Sequence, residues 1–364
     1  MKLNDFLKTK SVDRNASQPV YMQLASIIQE AIAQRYLSAG DRLPTTRELC
    51  EAFGLNHLTV RQAIKQLETD GHILIKPGRG GFIPSKQEKV QKILLMLPTL
   101  GDDLCAGISR GVRAVLEDDG FDIYVLDYNH DPEVEQNYLR KIYDEGYAGA
   151  ILYPTLAEES TRLILQFLVE GFPIVLLDRE FTGVPGWYVL SDNFQGGYLA
   201  GKHLLEQGCS EMACVMSSYP NVQDRLRGFQ TAIMEAGLPL RKSRICIIES
   251  DGDPLGRHTK QLLETDSGVD GIFYHNDFQA LYGYKKIKEA GFPIPGKIKV
   301  VGFDDMPAAR FADPELTSIH QYPEQIGREA ATMFLEQLAL PAKERFQKKE
   351  TVVPVKLVCR ESSR

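Results

Sequence analysis

From Lys92 to Phe303 the sequence repeats one local pattern. Short apolar runs fall at Ile93–Leu97, Ile123–Leu126, Gly149–Tyr153, Ile174–Leu177, Tyr188–Leu190, Met212–Met216, Ile245–Ile248, Gly271–Tyr274 and Ile298–Phe303, most of them separated by stretches of helical periodicity. Strands and helices in alternation build mainly parallel sheets covered by helices on both faces. The roughly 270 residues that follow residue 90 are more than one sheet comfortably uses, so two doubly wound lobes with a cleft between them are expected.

The first eighty-odd residues have a different rhythm. Pro19 opens a helical pattern with Leu24, Ile27, Ile28, Ala31 and Ile32 on one face, ending before Ser38-Ala-Gly40. Thr45-Thr46-Arg47-Glu48 has capping-box spacing and starts a short helix that stops at Gly54. Asn56 is placed to cap a third helix, in which Val60, Ala63, Ile64 and Leu67 form the buried stripe and Leu58, Arg61, Gln62 and Lys65 the opposite face. Two short helices joined by a glycine-containing turn, the second with a basic polar face, have the layout of a helix-turn-helix. After Gly71, the strand-like His72–Lys76, the turn Pro77-Gly-Arg-Gly-Gly81 and Phe82-Ile83 predict a basic hairpin, a wing.

Here the sequence resembles the GntR family of bacterial regulators over about residues 19–84. Pro19-Val-Tyr-Met-Gln-Leu, Gly40-Asp-Arg-Leu-Pro-Thr-Thr-Arg-Glu-Leu, Thr59-Val-Arg-Gln-Ala-Ile-Lys-Gln-Leu-Glu and Gly78-Arg-Gly-Gly-Phe-Ile carry the match. The resemblance implies DNA contacts at Arg47, Asn56, His57, Thr59 and Arg61 and at Arg79-Gly80 in the wing, and Lys65 joins them on the outer face. Arg61 can fork onto guanine or phosphate, Thr59 can reach phosphate or a thymine methyl, and Gly80 lets the backbone approach the minor groove. His57-Leu58 departs from the family's usual polar pair.

In open α/β sheets the binding residues lie at the carboxyl ends of strands. That rule selects Asp178-Arg179, Asn276-Asp277 and Asp304-Asp305, with Arg225 in a following helix. Asp277 and Asp305 are read as structural. A second resemblance, to the LacI-type effector domain and through it to periplasmic sugar-binding proteins, covers about residues 90–360. It is carried by Pro173-Ile-Val-Leu-Leu-Asp-Arg, Ser191-Asp-Asn-Phe-Gln-Gly-Gly-Tyr, Arg225-Leu-Arg-Gly-Phe, His275-Asn-Asp-Phe, Val300-Val-Gly-Phe-Asp-Asp and Leu316-Thr-Ser-Ile-His-Gln. It implies effector contacts from Asp178, Arg179, Arg225, Asn276, Asp304 and Gln321. Two arginines facing two aspartates suit a neutral polyol better than a phosphate, which calls for surplus positive charge. The first loop, Pro98–Leu104, has no aromatic to lie on a sugar face.

The expected organisation is a winged helix-turn-helix domain with an N-terminal arm over 1–84, a linker over 85–91, and a periplasmic-binding-protein-like effector and dimerisation domain over 92–364. Charge divides the same way. Residues 1–87 hold 12 Lys and Arg against 8 Asp and Glu, leaving 30 against 41 for the remainder. Six scattered cysteines without a C-x-x-C pair, and seven histidines without ligand spacing, point to neither disulfide framework nor metal site. No cofactor is expected. The charged start Met1–Lys10 is not that of a signal peptide, which predicts a cytoplasmic protein. Adjacent Asp304-Asp305 point in different directions, and Gly78-Arg-Gly-Gly lacks the Lys-Ser/Thr of a phosphate loop, so catalysis is not expected.

Together the resemblances imply a regulator of a sugar-utilisation operon. A homodimer on a palindromic operator would respond to a small neutral sugar such as L-arabinose or L-fucose that closes the cleft and changes the spacing of the heads. Repression is the expected sign. Activation, or a non-sugar metabolite as effector, is the alternative.

Overall fold

A computed structural model describes residues 3–364 except 15, 17, 77–79, 84–90, 118 and 249–254. The chain divides into two compact units, Met1–Val90 and Gln91–Arg364.

The first unit contains α1 (Leu3–Lys8), α2 (Val20–Ala33), α3 (Thr46–Phe53), α4 (His57–Thr69) and the antiparallel pair β1 (Leu74–Lys76) and β2 (Gly80–Phe82). Local chemistry fixes the helix starts. The Thr45 hydroxyl accepts from the Glu48 amide at 3.3 Å while the Glu48 carboxylate accepts from the Thr45 amide at 2.7 Å, a reciprocal capping box. Gly54 then closes α3 in the left-handed conformation at φ 59°, and the Asn56 side chain accepts from the Thr59 amide at 2.8 Å to open α4. Val60, Ala63 and Leu67 are buried against Leu24, Ile28 and Leu49, leaving Leu58, Arg61, Gln62 and Lys65 exposed. The helix α1 was not evident in the sequence pattern; its Phe6 and Leu7 join the same core.

The second unit holds two six-stranded sheets. In chain order its elements are β3 (Gln91–Leu97), α5 (Asp103–Leu116), β4 (Phe121–Asp127), α6 (Pro132–Lys141), β5 (Tyr147–Leu152), α7 (Glu158–Glu170), β6 (Ile174–Leu177), β7 (Trp187–Ser191), α8 (Asn193–Glu206), β8 (Met212–Ser217), α9 (Pro220–Glu235), β9 (Ile245–Ile248), α10 (Arg257–Thr265), β10 (Gly271–Tyr274), α11 (Asp277–Glu289), β11 (Lys299–Asp304), α12 (Pro307–Phe311), β12 (Thr317–His320), α13 (Pro323–Ala339), α14 (Ala342–Arg345), β13 (Lys349–Val353) and β14 (Lys356–Val358). One sheet runs β13-β7-β6-β5-β3-β4, all parallel. The other runs β14-β12-β11-β10-β8-β9, parallel except for β14. Central strands such as β6, β8 and β10 are buried at every position because helices cover both faces. The doubly wound expectation is therefore met, and Gln91, read as linker, is the first residue of β3.

The strand order makes the chain pass between the lobes three times: from β7 into α8, from β12 into α13, and from β13 into β14. Close helix packing stiffens each lobe. A Cβ on Gly197 of α8 would collide with the Arg225 carbonyl oxygen of α9, and one on Gly228 with that of Phe194. Glycine at both positions lets the two helix backbones touch, and so fixes Arg225 relative to Asn193. Among the described residues no helix is long and apolar enough to cross a membrane.

Candidate functional site

Between the lobes of the second unit lies a cleft of about 120 Å³. Its walls come from the carboxyl ends of the strands: Asp102 after β3, His130 after β4, Tyr153 after β5, Arg179 after β6, Ser217 to Arg225 after β8, His275-Asn276 after β10, and Asp304 on β11.

Two arginines dominate it. Arg179 is buried, donates through Nη1 to the Pro154 carbonyl at 2.7 Å, and has its guanidinium 3.8 Å from the Tyr219 ring centre and 5.1 Å from that of Tyr153. Desolvated stacking of this kind contributes ~2 kcal/mol. Arg225, on α9, donates from Nε to the Asn193 side-chain oxygen at 2.7 Å and from Nη1 to the His275 carbonyl, with its guanidinium 3.6 Å over Phe303. Each guanidinium is thus held in place by part of its fork, and the rest faces the cleft.

Asp304, at φ 106°, accepts from the Gln321 amide. Burial holds its carboxyl well above the usual range; Asp277 and Asp102 add to the effect and Arg225 opposes it. Asp102 caps α5, accepting from the Cys105 amide at 2.7 Å, and burial raises it too. Asn276 caps α11 through its side-chain oxygen, 2.9 Å from the Gln279 amide. Asp178 and Gln321 are not on the cleft wall. The Asp178 carboxylate accepts from the Tyr153 hydroxyl and from Asn221, each at 2.6 Å, and so ties the two lobes together behind the cleft. Gln321 lies in the β12-to-α13 crossing and holds Asp304.

The cleft therefore gathers Arg179, Arg225, Asn276 and Asp304 from the residues singled out in the sequence, with Asp178 and Gln321 bracing them. Sequence reading passed over Tyr153, Ser217, Tyr219 and Asn221, although Tyr153 ends an apolar run and the other three follow one. The two tyrosines supply the aromatic surface that the first loop lacks. Among the described residues, Arg179 Nε, Ser217 Oγ and Asn221 Oδ1 are buried without a hydrogen-bond partner. Such atoms are costly unless a ligand satisfies them.

Behind this wall sits a buried charge cluster. Asp277 accepts from the Ser318 hydroxyl at 2.6 Å and the Met306 amide at 2.8 Å, and burial pushes its carboxyl up to about 7. Asp305 turns the other way, to Arg360 and, at 3.0 Å, His320; burial opposes its ionisation, but these two hydrogen bonds outweigh it and lower the carboxyl. Because Asp277 titrates higher folded than unfolded, its stabilising contribution is complete below about pH 4 and is lost as pH rises through 7. Asp277→Asn has no such proton. The stability of the native protein relative to this variant is expected to fall between pH 4 and 8 by an amount on the order of 4 kcal/mol; urea unfolding at a series of pH values checks it, and parallel curves would contradict the assignment.

In the first unit a groove of about 540 Å³ runs between α4 and β2, lined by Arg61, Lys65, Gly80 and also Arg42. Gly80 has φ 95°, a left-handed backbone conformation that favours glycine, and lies beside the Arg42 guanidinium. Arg47 is 88% exposed and pairs with Glu51 at 2.9 Å. Asn56 spends its side-chain oxygen on the Thr59 amide and hydroxyl. His57 and Thr59 lie in the first turn of α4, with Leu58 68% exposed between them. Arg79 lies outside the described residues.

Residues 20–83 match the family model of bacterial regulatory proteins, gntR family, and residues 202–363 that of the periplasmic binding protein-like domain. The arabinose metabolism transcriptional repressor of Geobacillus stearothermophilus is 26% identical over 334 residues, which span 88% of this chain and 91% of the repressor. Among solved structures, a complex of the transcriptional regulator CelR with cellobiose has a TM-score of 0.67 at 21% identity, covering 88% of this chain and 100% of that one. A LacI family transcriptional regulator from Enterococcus faecium with bound ribose has a TM-score of 0.62 at 26% identity, covering 75% and 98%. The chain is thus a transcription regulator that joins a gntR-family DNA-binding domain to a periplasmic-binding-protein-like effector domain.

Proposed function

We propose that the protein represses a sugar-utilisation operon and that a neutral monosaccharide bound between the lobes of its body releases it from a palindromic operator, to which it binds as a homodimer. The observation that carries this reading is the cleft wall. Its lining sets Arg179 and Arg225 beside the carboxyls of Asp102 and Asp304, which burial holds toward the neutral form, so the wall offers both donors and acceptors to a polyol. Its unpaired atoms are a donor, an acceptor and a hydroxyl, which complement a ligand carrying hydroxyls all round. Its volume lies below the ~300–1,000 Å³ of pockets for drug-sized ligands, which favours one sugar ring over two. The arabinose repressor and the ribose-bound regulator among its relatives point to the same class, with L-arabinose or L-fucose as first candidates.

The test is a thermal-shift panel of neutral sugars, sugar phosphates and nucleobases. A ligand that binds only the folded state stabilises it by roughly 2.7 kcal/mol at a hundred times its dissociation constant. A neutral pentose or deoxyhexose is expected to raise the melting temperature. A sugar phosphate or nucleobase as the sole hit would replace the sugar assignment, and tighter operator binding in the presence of the sugar would make the protein an activator.

A further inference from the structure

The gntR-family match begins at residue 20, yet the chain before it packs onto the DNA-binding domain. We propose that this N-terminal arm extends the operator contact and that Arg14 is a phosphate-binding residue at the helix-turn-helix turn; the proposal rests on the DNA-binding reading of the first unit.

The arm is anchored at two places. Phe6 and Leu7 enter the core, Phe6 stacks on Tyr36 at 4.6 Å between ring centres, and Lys10 pairs with Glu30 at 2.6 Å. Further on, Gln23 of α2 clasps the chain on either side of Arg14. Its side-chain oxygen accepts from the Asp13 amide at 2.8 Å, and its amide nitrogen donates to the Asp13 carbonyl at 2.8 Å and to the Gln18 carbonyl at 2.7 Å. The Arg14 guanidinium thereby comes to rest on the turn between α3 and α4, its Nη2 donating to the Gly54 carbonyl at 2.9 Å. Gly54 is two residues before Asn56, the cap of the helix whose first turn carries His57 and Thr59.

Satisfying the carbonyl of the residue that closes α3 is the ordinary service of an arginine at a helix end. That takes one N–H of a planar group with five, and Arg14 is exposed. In helix-turn-helix docking, the start of the recognition helix meets base edges while the preceding helix crosses the backbone, so the turn between them lies beside phosphates. An exposed guanidinium held at that turn by a backbone bond is already oriented for a phosphate oxygen, which its fork matches.

The experiment uses the full chain and a duplex selected by it from a random pool, with affinity measured from about 50 to 200 mM salt. Arg14→Gln is expected to weaken binding several-fold on every sequence bound and to reduce the slope of log affinity against log salt by about one, while Arg14→Lys retains the slope. The melting temperature of Arg14→Gln stays that of the native chain. An unchanged slope, with or without a fall in melting temperature, would mean that Arg14 merely fastens the turn and would overturn the proposal. Arg61→Ala serves as reference: if the native chain selects no duplex at all, the DNA-binding reading falls with the arm, whereas selection by the native chain and an indistinguishable Arg14→Gln removes the arm alone.

Discussion

Arg225→Ala is expected to abolish the rise in melting temperature on adding the effector sugar while leaving operator binding in place, so that the variant no longer releases DNA when the sugar is supplied. Arg225 reaches the cleft from α9, and its position is set by Asn193, the His275 carbonyl and the face of Phe303. If two of its remaining donors bond the sugar, charge-assisted bonds worth roughly 1.5–3 kcal/mol each are lost with the side chain, which costs at least about a hundredfold in affinity. The residue lies in the body and not in the DNA-binding unit, so the operator surface is untouched. Coupling is reciprocal: a sugar that lowers operator affinity by some factor has its own affinity lowered by the operator to the same extent, and removing sugar binding removes both effects. Fluorescence anisotropy on labelled operator, with and without sugar, reads this directly. A variant that still releases DNA at the native sugar concentration would place the effector elsewhere.

Much of this architecture is written in short-range pattern. All nine apolar runs read from the sequence overlap strands, the central ones because strands buried on both faces must be apolar at successive positions. The strands missed are those that no apolar run marks. β13 begins Lys349-Glu350 and stands at a sheet edge, and β14 is a three-residue edge strand; β12 is interior and buried, but its Thr-Ser-Ile-His carries one apolar residue and so shows no apolar run. Edge strands carry charge where central ones carry valine. Helix α1 was missed for a related reason, since six residues with two core contacts are too few to display a period.

The cleft was legible only in part. Reading the polar residue after each strand finds Arg179, Asn276 and Asp304, since strand ends in such sheets all face one way. It does not tell a side chain that lines the cleft from one that braces the wall, and Asp178 and Gln321 brace it. Tyr153 and Tyr219 escaped because a tyrosine beside an apolar run reads as core, and only the three-dimensional placement of Arg179 against both rings gives them a role. Those contacts bring together, from different lobes, residues 66 positions apart, which no local pattern encodes.

The second large effect is expected at the DNA surface. Arg61 is exposed on α4, on the face opposite buried Val60, Ala63 and Leu67, and it lines the same groove as Lys65 and Gly80. A guanidinium at that place either forks onto a guanine in the major groove or seats on a phosphate, and the two contacts leave different traces. If Arg61 reads a base, Arg61→Ala weakens operator binding by about 1–3 kcal/mol and relaxes preference at one base pair in each half-site. If it holds a phosphate, the loss is uniform across sequences and the salt slope falls by about one. The base contact is the expected one, because Arg61 lies one turn into the helix, beside Leu58, whose exposed apolar side chain suits the methyl of a neighbouring thymine. Selection of duplexes by Arg61→Ala should then return the native operator with one position in each half randomised. A pool identical to the native one, bound with a shallower salt dependence, would assign Arg61 to the backbone and leave base reading to His57, Leu58 and Thr59.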